Sequence, residues 1–110
     1  MSFNTESTEG LNIANEERNG SPKIVLSGHF TSKYVSPFRD QMQELLHNPP
    51  TKIVVNMADL EFIDSIGIGV LIFFHNNLRG KGCEMVIEQP SQSVIEIFQL
   101  TSLDKVFQII

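Results

Sequence analysis

The runs KIVLS at 23–27, KIVVNM at 52–57 and CEMVIE at 83–88 are short and rich in β-branched and other apolar residues. Between them lie two stretches whose apolar residues recur at helical spacing instead. Such alternation constrains a chain to an α/β domain with a mainly parallel sheet, because parallel neighbours must be joined by a long crossover. The helical stretches carry their own end marks. In VSPFRDQMQELLHNPP, Ser36 is placed to cap, Pro37 suits the first turn and Pro49-Pro50 stops the helix. Phe38, Met42, Leu45 and Leu46 fall on one face of it. Pro90-Ser91 opens a third helix with Val94, Ile97 and Phe98 turned inward. At the other end, Arg18-Asn19-Gly20-Ser21 joins two extended runs, and Asn-Gly tolerates positive φ at both central turn positions, which predicts a hairpin. The expected order is β-β-α-β-α-β-α, with residues 105–109 forming a short edge strand or a last helical turn. Residues 1–10 are polar and aperiodic and are expected to be a loose tail, so the domain runs over 11–110.

Composition narrows the function. With 110 residues and 41% hydrophobic content, the chain is one domain able to bury a core without staples. Its single cysteine, Cys83, excludes an internal disulfide and fits a reducing compartment. The longest uncharged apolar run, 66–74, is about half the roughly twenty residues that a membrane span needs, and no secretory signal opens the chain. A cytoplasmic protein without membrane contact is expected. The net charge of −5, with no basic run, argues against direct nucleic-acid binding and favours a protein partner or small ligand. Neither heptads nor an obvious free strand edge demand a dimer, so a monomer is expected.

The turn DSIG at 64–67 opens the most apolar helix in the chain, expected over roughly Ser65 to Arg79 and closed by Gly80 and Gly82. At about 100° per residue, Gly67, Val70, Leu71, Phe74 and Leu78 form one stripe that can lie on a sheet. Ile68, Ile72 and Phe73 fall off that stripe. They either pack on a neighbouring helix or belong to a protein-docking surface, with Ile68 and Ile72 the foremost candidates for exposure. Asp64 or Ser65, directly before an apolar helical run, serves first as a cap. Catalysis by Ser65 lacks support: no histidine among His29, His47 and His75 is spaced to act as its base, and the G-x-S-x-G elbow is absent. A lone cysteine and scattered histidines make no metal site. Gly67 and Gly69 lack the third glycine of a dinucleotide fingerprint. Neither an enzyme nor a cofactor is indicated.

The whole segment DLEFIDSIGIGVLIFFHNNLRGKGCEMVIEQPSQSVIEIFQLTSLDKVFQI resembles the STAS domain, in particular the small single-domain anti-sigma factor antagonists of bacteria. The shared pattern is an acidic-apolar lead-in, Asp-Ser-x-Gly, Gly-x-x-x-Leu/Ile, a glycine-bounded helix end, an apolar strand and a third helix of S-x-x-V…F…L type. IVLSGHF and PFRDQMQELL upstream fit the family's second strand and first helix, so the likeness covers about residues 11–110. It implies a four- to five-stranded mixed, mainly parallel sheet with three to four helices chiefly on one side. It also implies partner switching. The phosphoacceptor would be Ser65, modified by a serine kinase that is itself the anti-sigma factor, and a PP2C-type phosphatase would reset it. The docking surface would comprise the 61–72 segment, in particular Asp64, Ile66, Gly67, Ile68 and Ile72, with the neighbouring loop Gly28, His29, Phe30 and Thr31.

Two departures stand out. Many members read Asp-Ser-Ser-Gly where this chain has Ile66, and many have Gly-x-Leu-Asp where it has Gly28-His29-Phe30-Thr31. Thr31 is a secondary phosphorylation candidate and, more simply, a turn residue. The rival expectation is a non-switching STAS subunit of a lipid-transport ATPase or of a sensory complex, in which the same helix packs permanently on a partner.

Overall fold

A computed structural model describes residues 4–7 and 10–110, with side chains from residue 10 onward. The elements are β1 (Asn4–Ser7), β2 (Leu11–Arg18), β3 (Ser21–Phe30), α1 (Ser36–His47), β4 (Lys52–Ile63), α2 (Ser65–Arg79), β5 (Glu84–Glu88), α3 (Gln92–Leu100), a 3₁₀ turn (Leu103–Lys105) and β6 (Gln108–Ile109). One mixed sheet contains all the strands, in the order β1-β2-β3-β4-β5-β6. The pairs β1–β2 and β2–β3 are antiparallel, and the other three are parallel.

This topology decides where the helices go. Each crossover from β3 to β6 steps to the next strand in the same direction, so crossovers of one hand lay α1, α2 and α3 on the same face. A single core results, with Ile53, Val55 and Met57 of β4 meeting Phe38 and Met42 of α1, Leu71 and Phe74 of α2, and Val94 and Phe98 of α3. The stripe expected for α2 is the buried one: Gly67, Val70, Leu71, Phe74 and Leu78. Asn19 and Gly20 adopt positive φ of 52° and 83°, as a two-residue hairpin between β2 and β3 requires. The C-terminal segment uses both of its expected conformations in turn, a 3₁₀ turn and then a two-residue edge strand. No helix among the described residues is long and apolar enough to cross a membrane.

Two expectations need correction. Residues 4–7 of the expected tail are a strand paired with residues 12–15 of β2, which adds a strand beyond the four or five anticipated. Strand pairing satisfies backbone groups whatever the side-chain pattern, so a polar aperiodic segment gives no warning of it. The rest of the expected tail, residues 1–3 and 8–9, lies outside the described residues. Ser36 is not the cap of α1 but lies inside the helix, and Val35 holds the cap position without a side-chain bond. Pro37, in the first turn, has no N–H to satisfy and a φ already set for helix, which lessens the need for a capping side chain.

The sheet face without helices holds a charged cluster. Asn56 and Glu88, adjacent in register on β4 and β5, are both buried. The Asn56 amide donates to Glu88 Oε1 at 2.7 Å, Lys23 Nζ lies 3.0 Å from the same oxygen, and Arg18 pairs with Glu88 Oε2. The carboxylate thus ties the hairpin to the parallel half of the sheet. Glu88→Ala would leave Asn56 without its acceptor and two cations unpaired. Lys23 and Arg18 can still reach water, so the loss should be about 2 kcal/mol, below the ~3–5 of a fully buried pair. Urea unfolding checks this, and an unchanged midpoint would show that the cluster contributes nothing.

Candidate functional site

The parallel strands β3 and β4 end side by side, with Phe30 opposite Ile63 and His29 opposite Phe62. Gly28 sits at φ +94°, where the register shifts, and the next amide, of His29, donates to the Gly10 carbonyl at 2.6 Å. From this paired end the chain leaves in two loops, one into α1 and one into α2. Asp64 holds both. Its Oδ1 accepts from the Gly67 amide at 2.8 Å, capping α2, and its Oδ2 accepts from the Ser32 amide at 3.0 Å. Its own N–H donates to the Phe30 carbonyl at 3.4 Å.

Asp64 shows which effect wins at this turn. Desolvation pushes its carboxyl upward, but hydrogen bonds from the backbone of Gly67, Ser32 and Ile66 and the Ser32 side chain together take it below the usual 3.8. A depressed native value means that the stabilisation is fully present above the unfolded value and is lost as pH falls through the native one. The window is therefore below about pH 4. Asp64→Asn keeps an acceptor and removes the titration, so it should lose less stability than the parent between pH 5 and pH 3. Equal acid losses in urea titrations of the two proteins would contradict this. Asp64→Ala, with no acceptor at all, should cost about 1 kcal/mol at neutral pH.

With Asp64 as the cap, the Ser65 hydroxyl is not committed to that task, and Ser65 is exposed at the first position of α2. Beside it a groove of about 360 Å³ runs between α1 and α2, lined among others by Arg39, Gln43, Ser65, Ile66, Gly69 and Phe73. Ile66 and Phe73 are 47% and 49% exposed, and Phe62, level with His29, is 49% exposed. Beneath Phe73 an edge-to-face series continues through Phe74 (5.1 Å), Phe38 (6.3 Å) and Phe30 (5.0 Å), which backs the groove with rigid rings.

The residues expected at a docking surface divide into three groups. Ser65, Ile66 and His29 are exposed, while Asp64, Gly28 and Thr31 are half-buried. Ile68 and Ile72, the foremost candidates for exposure, are also half-buried and pack against the core. Phe30 is fully buried, so it supports the surface from below and offers no side chain to a partner. Gly67 is buried too, at the point where α2 comes closest to the end of β3. Of the other residues at this surface, Arg39 is the one that sequence reasoning missed, while Phe62 lies unnamed within the expected 61–72 segment. Phe73 carries a signal, its place off the buried stripe, on the flank opposite Ile68 and Ile72. Among the described residues no group of three or more His, Cys, Asp or Glu side chains could hold a metal ion.

Known proteins place this architecture. Residues 13–110 match the family described as Mlab, STAS domain. The anti-sigma F factor antagonist of Paenibacillus polymyxa is 31% identical over 103 residues, covering 90% of this chain and 86% of that protein. Among solved structures, an anti-sigma factor antagonist from Mycobacterium paratuberculosis superposes with a TM-score of 0.82 at 19% identity, over 94% of this chain and 87% of that one. The Bacillus cell fate determinant SpoIIAA superposes in its unphosphorylated form with a TM-score of 0.72 (21% identity, 99% and 88% covered). In its phosphorylated form the TM-score is 0.68 (20% identity, 99% and 91% covered). At these identities the structural likeness is one of fold, and the family match spans nearly all of the chain. The chain belongs to the STAS domain family.

Proposed function

We propose that this protein is an anti-sigma factor antagonist that works by partner switching, with Ser65 as its phosphoacceptor. The observation that carries the reading is the exposed Ser65 hydroxyl, released from capping by Asp64 and set beside the half-exposed Ile66 and Phe73. Unmodified, this surface captures an anti-sigma factor that is also a serine kinase. The kinase transfers the terminal phosphoryl of a nucleoside triphosphate. A bond forms between Ser65 Oγ and phosphorus as the bond to the nucleoside diphosphate breaks, and the hydroxyl proton passes to a base on the kinase. A PP2C-type phosphatase then restores the hydroxyl by hydrolysis. The family match and the antagonists similar to this chain support the reading, and so does the SpoIIAA fold, solved with and without phosphate.

The apolar residues beside the serine then supply the affinity. Ile66→Ala and Phe73→Ala should each weaken binding of the kinase by tenfold or more, the range of well-packed interface anchors at about 1–3 kcal/mol. Both side chains are half exposed in the free protein, so melting temperatures should barely move. Calorimetry of each variant with the kinase checks this, and parental affinity in both would place the interface elsewhere. A second reading, a STAS subunit that stays on its partner without switching, is favoured by the apolar Ile66 and by Thr31 in place of the family's acidic residue. In that case Ser65→Ala would be silent in cells, whereas in the switch it should lock the capturing state.

A further inference from the structure

The α1–α2 groove has a feature that capture of an apolar partner does not explain. Arg39 and Gln43, one helical turn apart on α1, line the same groove as Ser65, although the rest of its lining is mainly apolar. The topology makes this placement robust. Both α1 and α2 begin at the same end of adjacent parallel strands, so the first turns of the two helices lie at one level. Arg39 is the fourth residue of α1, and Ser65 is the first of α2. Arg39 is exposed and is in no ion pair among the described residues. Gly69 adds an independent observation. A Cβ built on it would meet nothing within 4 Å, so no close packing calls for glycine there, and its φ is not positive. Glycine within a helix nevertheless costs stability relative to alanine. What its missing side chain does provide is an open groove wall one turn beyond Ser65.

We propose that the groove is an intramolecular receptor for the phosphorylated state: the Arg39 guanidinium holds the phosphoryl group on Ser65, with Gln43 donating from the next turn and Gly69 leaving the room. The inference rests on Ser65 as the modified residue and adds what becomes of the phosphate. A phosphoserine carries about −1.5 to −2 charges and three strong acceptors, and a planar guanidinium is the side chain best shaped to pair with it. Because the phosphoryl is tethered, no partner is needed to bring the two together. Modification then acts twice on the docking surface. It places charge beside Ile66, and it draws Arg39 across the groove in which a partner's side chain would sit.

The test uses full-length protein with phosphoserine installed at position 65 during translation, so that no kinase is required. Phosphorus NMR follows the second ionisation of the phosphate, which is ordinarily near pH 6. Pairing with Arg39 favours the dianion, so the parent should titrate below that value. Arg39→Gln should move the midpoint up by roughly half a unit, the range of an exposed ion pair, and Arg39→Lys should restore part of the shift. Arg39 is exposed, and the unphosphorylated variants should melt with the parent, which separates this effect from a structural one. An identical midpoint in parent and Arg39→Gln would overturn the proposal. So would a shift that Gln43→Ala reproduces in full while Arg39→Gln has none. If Ser65 is never phosphorylated in cells, mass spectrometry will report it separately, and the titration will still show whether the groove can hold the group.

Discussion

Gly67→Ala should lower the melting temperature by on the order of 10–20 °C, while Gly69→Ala, the same change two residues on, should raise it slightly. A methyl at Gly67 overlaps the Phe30 carbonyl oxygen and comes within 2.8 Å of the Phe30 ring and 3.0 Å of Ile63. None of these can give way cheaply. The carbonyl belongs to a strand end that also accepts from the Asp64 amide, and the ring sits edge-to-face on Phe38 at 5.0 Å. Overpacking of this kind costs about 1–3 kcal/mol and more against fixed backbone. Alanine's better helix propensity returns at most about 1 kcal/mol, so the clash decides the sign. A net loss of a few kcal/mol in a domain of this size corresponds to the expected fall in melting temperature. At Gly69 the added methyl meets nothing, and only the propensity gain of up to about 1 kcal/mol remains. Calorimetric melting of both variants checks the pair. Two variants that melt alike would contradict the close approach of α2 to β3.

Ser65→Asp should weaken capture of the kinase by on the order of a thousandfold with almost no change in stability. The stability half follows from the fold, because Ser65 is exposed and the cap belongs to Asp64, while a negative charge at a helix start is tolerated by the dipole. The binding half follows from the surroundings. A charge set beside Ile66 and Phe73 must be desolvated on docking, and one like-charge contact at about 4 Å is worth roughly 4 kcal/mol at a near-surface dielectric, or about a thousandfold. No conformational change is needed to switch the surface off. A large fall in melting temperature with binding retained would instead make Ser65 a structural residue.

Much of this is legible in the sequence, and the failures have one physical origin. Local signals read well. The Asn-Gly hairpin, the bounds of α2 and its buried stripe, and the start of α3 at Pro90-Ser91 depend on nearest-neighbour stereochemistry or on a single periodicity. Which flank of α2 meets solvent depended on what lies beside it. Ile68 and Ile72 occupy one flank and Ile66 and Phe73 the other, at comparable angles from the stripe. Only the placement of neighbouring elements turns the first pair onto the core and leaves the second half exposed. Arg39 was invisible for the same reason, being 26 residues from Ser65 in sequence and across a groove from it in space. Strand β1 eluded the pattern because its pairing is backbone to backbone. In Asp64-Ser65, by contrast, the sequence offered two capping candidates and the geometry separates them: the carboxylate caps, and the hydroxyl stands free of that task.

Partner switching through Ser65 is tested most directly by phosphopeptide and intact-mass analysis of the protein purified from its native cells under two growth conditions. The account predicts a single phosphate on Ser65 whose occupancy changes between the conditions, with the kinase recovered only on the unmodified fraction. A protein that is expressed and bound to its partner, yet never phosphorylated at Ser65, would contradict the switch and leave the permanent subunit as the function of this domain.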